Sequence, residues 1–329
     1  MPGENPTDHN KEASRTERQE ASGRLFALQD RYRSHILRIN QSSMSAIPFD
    51  LSPAFPETPD IEALKSQVDD LKRCIDSLRP LPEAQDANLR ETLDTKYTYD
   101  SNRIEGNTLT HQETAMVTLH GMTIAGKPLK DHLEAVNHRD AITYVRDIAS
   151  RSVPFSERVL LDIHSIILSG IDRDHAGRYR PHDVRISGTE FLPPIHMKIP
   201  ELMRDLFAYH EEAKDTEHPV VFAARMHAKL VNIHPFTDGN GRTARLVMNL
   251  ILLGRGYVVA NISGDKALRG AYYAALEATH ADEDMADFIR LILSTEKSSL
   301  IEYISFLGPE IEQGRGGYYL ERIAPFLEG

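Results

Sequence analysis

His234-Pro-Phe-Thr-Asp-Gly-Asn-Gly-Arg-Thr-Ala-Arg245 stands between two apolar runs, Phe222–Leu230 and Leu246–Leu253. The first run reads as a helix with Pro219 near its first turn, where a missing N–H costs nothing. The second is apolar nearly all round, the pattern of a buried helix, and Gly254 is placed to end it. The quoted stretch is therefore a loop between two buried helices, the second starting near Gly241 or Arg242. Helical patterns recur along the chain, and alternating strand patterns are almost absent. The expected fold is all-α with one small β-hairpin.

The loop concentrates proton-transfer, metal-binding and anion-binding groups. A Gly-Asn-Gly turn at a helix start exposes backbone N–H groups and adds the helix dipole, which makes Gly239, Asn240 and Gly241 a ready anion site. Asp238 would repel a bare phosphate. It makes sense with Mg2+ (or Mn2+) between the two, since Mg2+ takes one or two carboxylates plus phosphate oxygens and water. Arg242 and Arg245 share one helix face, and each can fork onto a phosphate or a carboxylate. His234 titrates near neutrality and is the natural general base. A lone His-Pro or Gly-x-Gly would mean only a turn, but this many polar types at fixed spacing seldom coincide by chance. The Gly-Lys-Ser/Thr of a phosphate loop is absent, and no second His or Cys stands at zinc-ligand spacing.

The stretch matches the Fic family signature, His-x-Phe-x-Asp/Glu-Gly-Asn-Gly-Arg-x-x-Arg, at every defined position. The similarity runs from about Tyr97 to about Ile292, through Ala176-Gly-Arg-Tyr-Arg180, Val184-Arg-Ile-Ser-Gly188 and Arg269-Gly-Ala-Tyr-Tyr273. The chain thus resembles bacterial Fic enzymes with an inhibitory segment before the core, and the core of the animal enzyme of the endoplasmic reticulum. The resemblance implies transfer of AMP from ATP to a Ser, Thr or Tyr hydroxyl of a target protein, or of the chain itself, with release of pyrophosphate. His234 would take the hydroxyl proton, and Asp238 would hold Mg2+ against the α- and β-phosphates. Gly239, Asn240 and Gly241 would cradle α- and β-oxygens. Arg242 would meet the β-phosphate and Arg245 the γ-phosphate. Phe236 would anchor the loop. Tyr272 and Tyr273 fall where relatives build the adenine pocket, although the Asn many relatives carry shortly afterwards is missing here.

Two further segments take their meaning from the same resemblance. Val184, Ile186 and Phe191 flank the turn signal Ser187-Gly188-Thr189, which predicts a short hairpin. In Fic proteins this is the flap, whose edge pairs with the target's backbone by strand addition. Upstream, Ser101 and Glu105 share a helix face, Gly106 suits the left-handed residue that ends a helix, and Thr110-x-x-Glu113 is a capping box. By themselves these are one helix end and the next helix start. By resemblance Ser101, Glu105 and Gly106 form the inhibitory motif, with Glu105 paired to Arg245 so that ATP binds with its α-phosphate badly placed. The alternatives are a Fic enzyme with another donor or with net removal of AMP, and a non-catalytic nucleotide-binding regulatory module.

Composition bounds the rest. The chain has 329 residues, a net charge of −11 and a single cysteine, Cys74. The charge argues against nucleic-acid binding and the cysteine against a disulfide framework. There is no apolar run long enough to span a membrane and no leader-like segment at the start, so a cytoplasmic location is expected. Residues 1–22 have the composition of disordered segments. Residues 23–95 read as a helical region with a Pro-rich linker at about 46–59. Within it, Leu25, Leu28, Tyr32, Ile36 and Ile39 form one stripe, and Ile61, Leu64, Val68, Leu71, Ile75 and Leu78 another. The stripes are expected to pack on the core, the alternative being a homodimer. Residues 96–295 form the expected catalytic domain, including the inhibitory helix end at 101–106, and 296–329 a helical tail.

Overall fold

The computed structural model describes residues 60–281 and 285–307. Among them are ten α-helices and no strand. In order they are α1 (Ile61–Leu78), α2 (Glu83–Ile104), α3 (His111–His120), α4 (Leu129–Ser150) and α5 (Glu157–Ile167). A 3-10 turn at His196–Lys198 leads into α6 (Ile199–Ala213), α7 (Pro219–Ile233), α8 (Asn240–Gly254), α9 (Lys266–Ala281) and α10 (Ala286–Phe306). The described residues fall into two compact units: 60–68 with 81–300, and 69–80 with 301–307. The smaller unit contains the buried Leu71, Cys74, Ile75 and Leu78 of α1. The polar stretch 1–22, the stripe from Leu25 to Ile39, the linker 46–59 and the tail beyond Leu307 lie outside the described residues.

In the larger unit α7 and α8 lie side by side at the centre. α4, α5 and α6 cover them, and α2 and α3 pack on α4. Both central helices bury most of their side chains, α8 along the run that is apolar nearly all round. Pro219 occupies the first turn of α7, and the His218 side chain accepts the Val220 N–H at 3.3 Å. α8 begins at Asn240, behind a left-handed Gly239 (φ 78°), with no side chain capping it. Its end differs from expectation. Gly254 stays helical, Arg255 is the cap, and Gly256 (φ 81°) carries the left-handed turn. Gly256 and Tyr257 donate back to Leu253 and Leu252, both at 3.0 Å, so the reversal closes two residues later than the first available glycine.

α2 ends as expected at Ile104–Glu105, followed by a left-handed Gly106 (φ 96°). The capping box of α3 is complete, with Thr110 Oγ1 accepting the Glu113 N–H at 3.2 Å and Glu113 accepting the Thr110 N–H at 2.8 Å. The hairpin expected at 184–194 does not form as a strand pair. The segment turns at Ser187–Gly188 (Gly188 φ 85°) without a backbone ladder. Pro193 and Pro194 have no N–H to give, and the carbonyls of His182 and Pro194 are taken by the Arg180 guanidinium. No described helix is long and apolar enough to cross a membrane.

Candidate active site

The α7–α8 turn presents the loop. His234 caps α7 in a left-handed conformation (φ 50°, ψ 58°), which is unusual for a side chain with a Cβ and costs about 1 kcal/mol or more. Arg180 holds it there: its Nε donates to the His234 carbonyl at 2.9 Å and its backbone N–H to the Pro235 carbonyl at 2.9 Å. Burial pushes the His234 imidazole down to about 4, a hydrogen bond with the Val231 backbone opposing only part of the shift. The ring is therefore neutral at pH 7, the form that accepts a proton.

Phe236 is fully buried and stacks on His164 of α5, ring centroids 3.6 Å apart and planes 8° from parallel. His164 Nδ1 accepts the Gly177 N–H at 3.0 Å, so Nε2 carries the proton and donates to the Asp238 carbonyl at 3.0 Å. Burial lowers its pKa to about 4, which keeps that tautomer neutral. Gly239 packs so tightly that a Cβ would come within 3.3 Å of Ile167 and 3.5 Å of His164. Asn240 already serves the loop's own backbone. Its amide bonds twice to Phe236, accepting the N–H at 2.9 Å and donating to the carbonyl at 2.8 Å. It is a staple within the loop. The Gly239 N–H is likewise occupied, by Asp238 Oδ1 at 2.6 Å. The remaining N–H groups of the uncapped first turn of α8 are what the turn offers an anion.

Asp238 is half-exposed. Burial raises its pKa, but Arg242, the Gly239 N–H and Lys130 outweigh this, and the net shift is downward. Among the described residues no three His, Cys, Asp or Glu side chains form a metal cluster. A single accessible carboxylate suits Mg2+, which would draw its other ligands from phosphate and water.

Arg242 is 2% exposed, with Nη1 3.1 Å from Glu134 and Nη2 3.5 Å from Asp238. Its buried Nε makes no hydrogen bond, and Nη1 is engaged only by the Glu134 ion pair. Glu134 on α4, which residue pattern alone did not single out, is itself buried and accepts from Asn107 Nδ2 at 3.0 Å.

Arg245 is 1% exposed and reaches back to the end of α2. Nη2 donates to Glu105 Oε1 at 2.7 Å and to the Ser101 carbonyl at 2.8 Å, and Nε to Ser101 Oγ at 3.0 Å. Burial alone would lower its pKa, but Glu105 drives the net shift upward. A Cβ placed on Gly241 would overlap Glu105 Oε1, so this carboxylate lies directly against the glycine of the anion turn. Tyr272, expected to line an adenine pocket, points into the core. It is 1% exposed, with its hydroxyl 3.5 Å from Arg245 Nη1 and 3.2 Å from His227 Nε2. Packing in the core fixes that direction. Tyr273 is partly exposed and donates to the Ile104 carbonyl at 3.1 Å, at the end of α2.

The flap segment flanks the loop. Ser187 and Gly188 are exposed, and Val184, Ile186 and Thr189 are half-buried. Thr189 Oγ1 donates to Glu277 at 2.8 Å, and Phe191 stacks on His280 at 3.7 Å. Arg180 joins the flap to the loop through His182 and Pro194. Its place in the quoted Ala-Gly-Arg-Tyr-Arg segment was a signal, but its role becomes visible only in three dimensions.

A model of the Fic/DOC family matches residues 154–252, from before α5 to near the end of α8. A solved variant of Fic-1 from C. elegans is 31% identical, with a TM-score of 0.64 over 74% of this chain and 72% of that one. The chain belongs to the Fic/DOC family. A Fic domain containing signaling protein from Bacteroides thetaiotaomicron shares 26% identity and a TM-score of 0.65 over 76% of this chain and 97% of that one. Protein adenylyltransferase Fic of Drosophila yakuba is 32% identical over 289 residues, 87% of this chain and 57% of that protein. The chain thus spans a little over half the length of such curated Fic relatives. The family model covers His164, Arg180 and the whole 234–245 loop, whereas Glu105, Glu134 and Tyr272 lie outside it.

Proposed function

We propose that this Fic protein is a self-inhibited protein adenylyltransferase, moving AMP from ATP to a Ser, Thr or Tyr hydroxyl of a target protein. The observation that carries the proposal is the Glu105–Arg245 pair at 2.7 Å, lying against Gly241 at the open start of α8 beside a neutral His234. Relatives named protein adenylyltransferase support the reaction class. In the proposed step the target oxygen attacks the α-phosphorus as its proton passes to His234. The bond from the α-phosphorus to the bridging oxygen breaks, and pyrophosphate leaves. Mg2+ on Asp238 would supply charge neutralisation at the phosphates. Arg242, whose Nε has no hydrogen-bond partner, would meet the β-phosphate. Arg245 would serve the γ-phosphate only after releasing Glu105. The chemistry is mostly positioning and charge stabilisation.

The exposed Ser187–Gly188 turn is the proposed docking edge for the target backbone, held in reach of His234 by Arg180. Tyr273, partly exposed beside Glu105, is the better placed of the two tyrosines to meet the base. The lone, buried Cys74 suits a reducing compartment such as the cytoplasm. The test is labelling with α-labelled ATP and Mg2+. Glu105→Gly should label strongly, wild type weakly, and His234→Ala in the Glu105→Gly background not at all. No labelling by Glu105→Gly in a native lysate, with ATP binding intact, overturns AMP transfer.

A further inference from the structure

Lys130 has no part in the loop signature or in the inhibitory motif, yet it stands at the site. It lies in the first turn of α4, and its side chain is 56% exposed. Its ammonium is 3.7 Å from Asp238 Oδ2 and 3.7 Å from Glu134 Oε1. Arg242 touches the same two carboxylates from the buried side, at 3.5 and 3.1 Å. Two cations and two carboxylates therefore alternate around the mouth of the anion turn. The members differ in freedom. Arg242 and Glu134 are buried and fixed, whereas Lys130 is solvated and makes only long contacts, beyond hydrogen-bond range. The i,i+4 spacing of Lys130 and Glu134 is ordinary for a helix. Asp238, which comes from a different element, is not part of that pattern.

From this arrangement, and resting on the nucleotide-site reading above, we infer that Lys130 is a phosphate-binding residue. It moves from Asp238 to the β- and γ-phosphates when nucleotide binds. Each side of the exchange follows from charge. A divalent cation on Asp238 would repel an ammonium standing 3.7 Å from the same carboxylate. The triphosphate brings several negative charges to the start of α8, next to that carboxylate. A flexible lysine stem with three rotatable donors can follow the charge, as a fixed guanidinium cannot. Lys130 would also be a phosphate contact that Glu105 does not block, since Glu105 occupies Arg245.

The test uses the full chain carrying Glu105→Gly and calorimetric titration with ATP and, separately, AMP, with and without Mg2+. Adding Lys130→Met should weaken ATP binding about five- to tenfold and leave AMP binding unchanged, while Lys130→Arg stays within about twofold of the parent. The melting temperature of each variant is recorded beside it. Unchanged ATP binding by Lys130→Met overturns the inference, and so does an equal loss for ATP and AMP, which would mark structural damage. Failure of the AMP-transfer proposal would appear differently, as ATP binding that depends on Lys130 with no labelling of any protein.

Discussion

Replacing Glu105 with glycine removes one partner of an ion pair whose other partner has nowhere to go. Arg245 is 1% exposed and Glu105 31%. Breaking such a buried pair costs about 3–5 kcal/mol. Arg245 keeps two contacts with Ser101 and one with Tyr272, and Glu105 is partly solvated, so about 3 kcal/mol is the reasonable figure here. Backbone strain adds nothing, because residue 105 sits at φ −81°, where glycine is at ease. The perturbation then has two readouts from one quantity. At about 1.4 kcal/mol per tenfold, releasing a 3 kcal/mol bias against a productive triphosphate raises AMP transfer by roughly 10²-fold. The same loss lowers Tm by roughly 6–12 °C in the absence of nucleotide, taking about 2–4 °C per kcal/mol for a domain of this size. Saturating ATP should restore part of the Tm, because a phosphate replaces the carboxylate as counter-charge. Labelling with α-labelled ATP and thermal melts with and without ATP read both. Labelling within twofold of wild type, or a Tm that does not fall, refutes the idea that this pair holds the site closed.

Other outcomes follow from the same contacts. Tyr273→Phe removes the hydrogen bond that anchors Ile104, next to Glu105, and should raise basal labelling about fivefold for a loss of about 1 kcal/mol; unchanged labelling would show that α2 is held without it. Arg180→Ala removes a buried guanidinium bonded to the carbonyls of His234, His182 and Pro194, and should cost about 3 kcal/mol in urea unfolding as well as most labelling in the Glu105→Gly background; lost stability with full labelling would separate the flap from the chemistry. Acid should weaken the fold through buried histidines. His164 and His227 are pushed down by burial to about 4 and about 3, so the unfolded chain takes up protons first as pH falls below 6.5. That stability is complete above pH 6.5 and declines toward pH 4, by about 2 kcal/mol per histidine between pH 7.5 and 5, and a flat urea profile over that range would contradict it.

Much of the fold was legible because helix signals are local. Periodic apolar positions, the Thr110 capping box and the left-handed Gly106 need only their neighbours, and each stands where pattern put it. The departures arise where contacts made in the folded chain are not visible in local pattern. The hairpin formed no ladder, and its ends are tied instead to Arg180, which takes the His182 and Pro194 carbonyls. Asn240 bonds both ends of its amide to the Phe236 peptide, a pairing within the loop that residue types alone do not reveal. Tyr272 turned into the core under Arg245, leaving Tyr273 nearer the surface, a choice that two adjacent tyrosines in a helix do not reveal.

The sequence by itself determined which proton-transfer and anion-binding residue types the loop carries and at what spacing, and that is the basis of the chemistry proposed for it. It also determined where most helices start and stop. The Glu105–Arg245 pairing came from family resemblance, since no local rule joins residues so far apart along the chain. The structure showed which groups were already spent: Asn240 on Phe236 and Gly239 on Asp238 within the loop, and Arg245 on Glu105 across the fold. It alone brought Glu134, His164, Arg180 and Lys130 to the site. The physical reason is that a charge or a hydrogen-bond donor is defined by its nearest partner. For these residues that partner arrives on another helix or loop, and only packing delivers it.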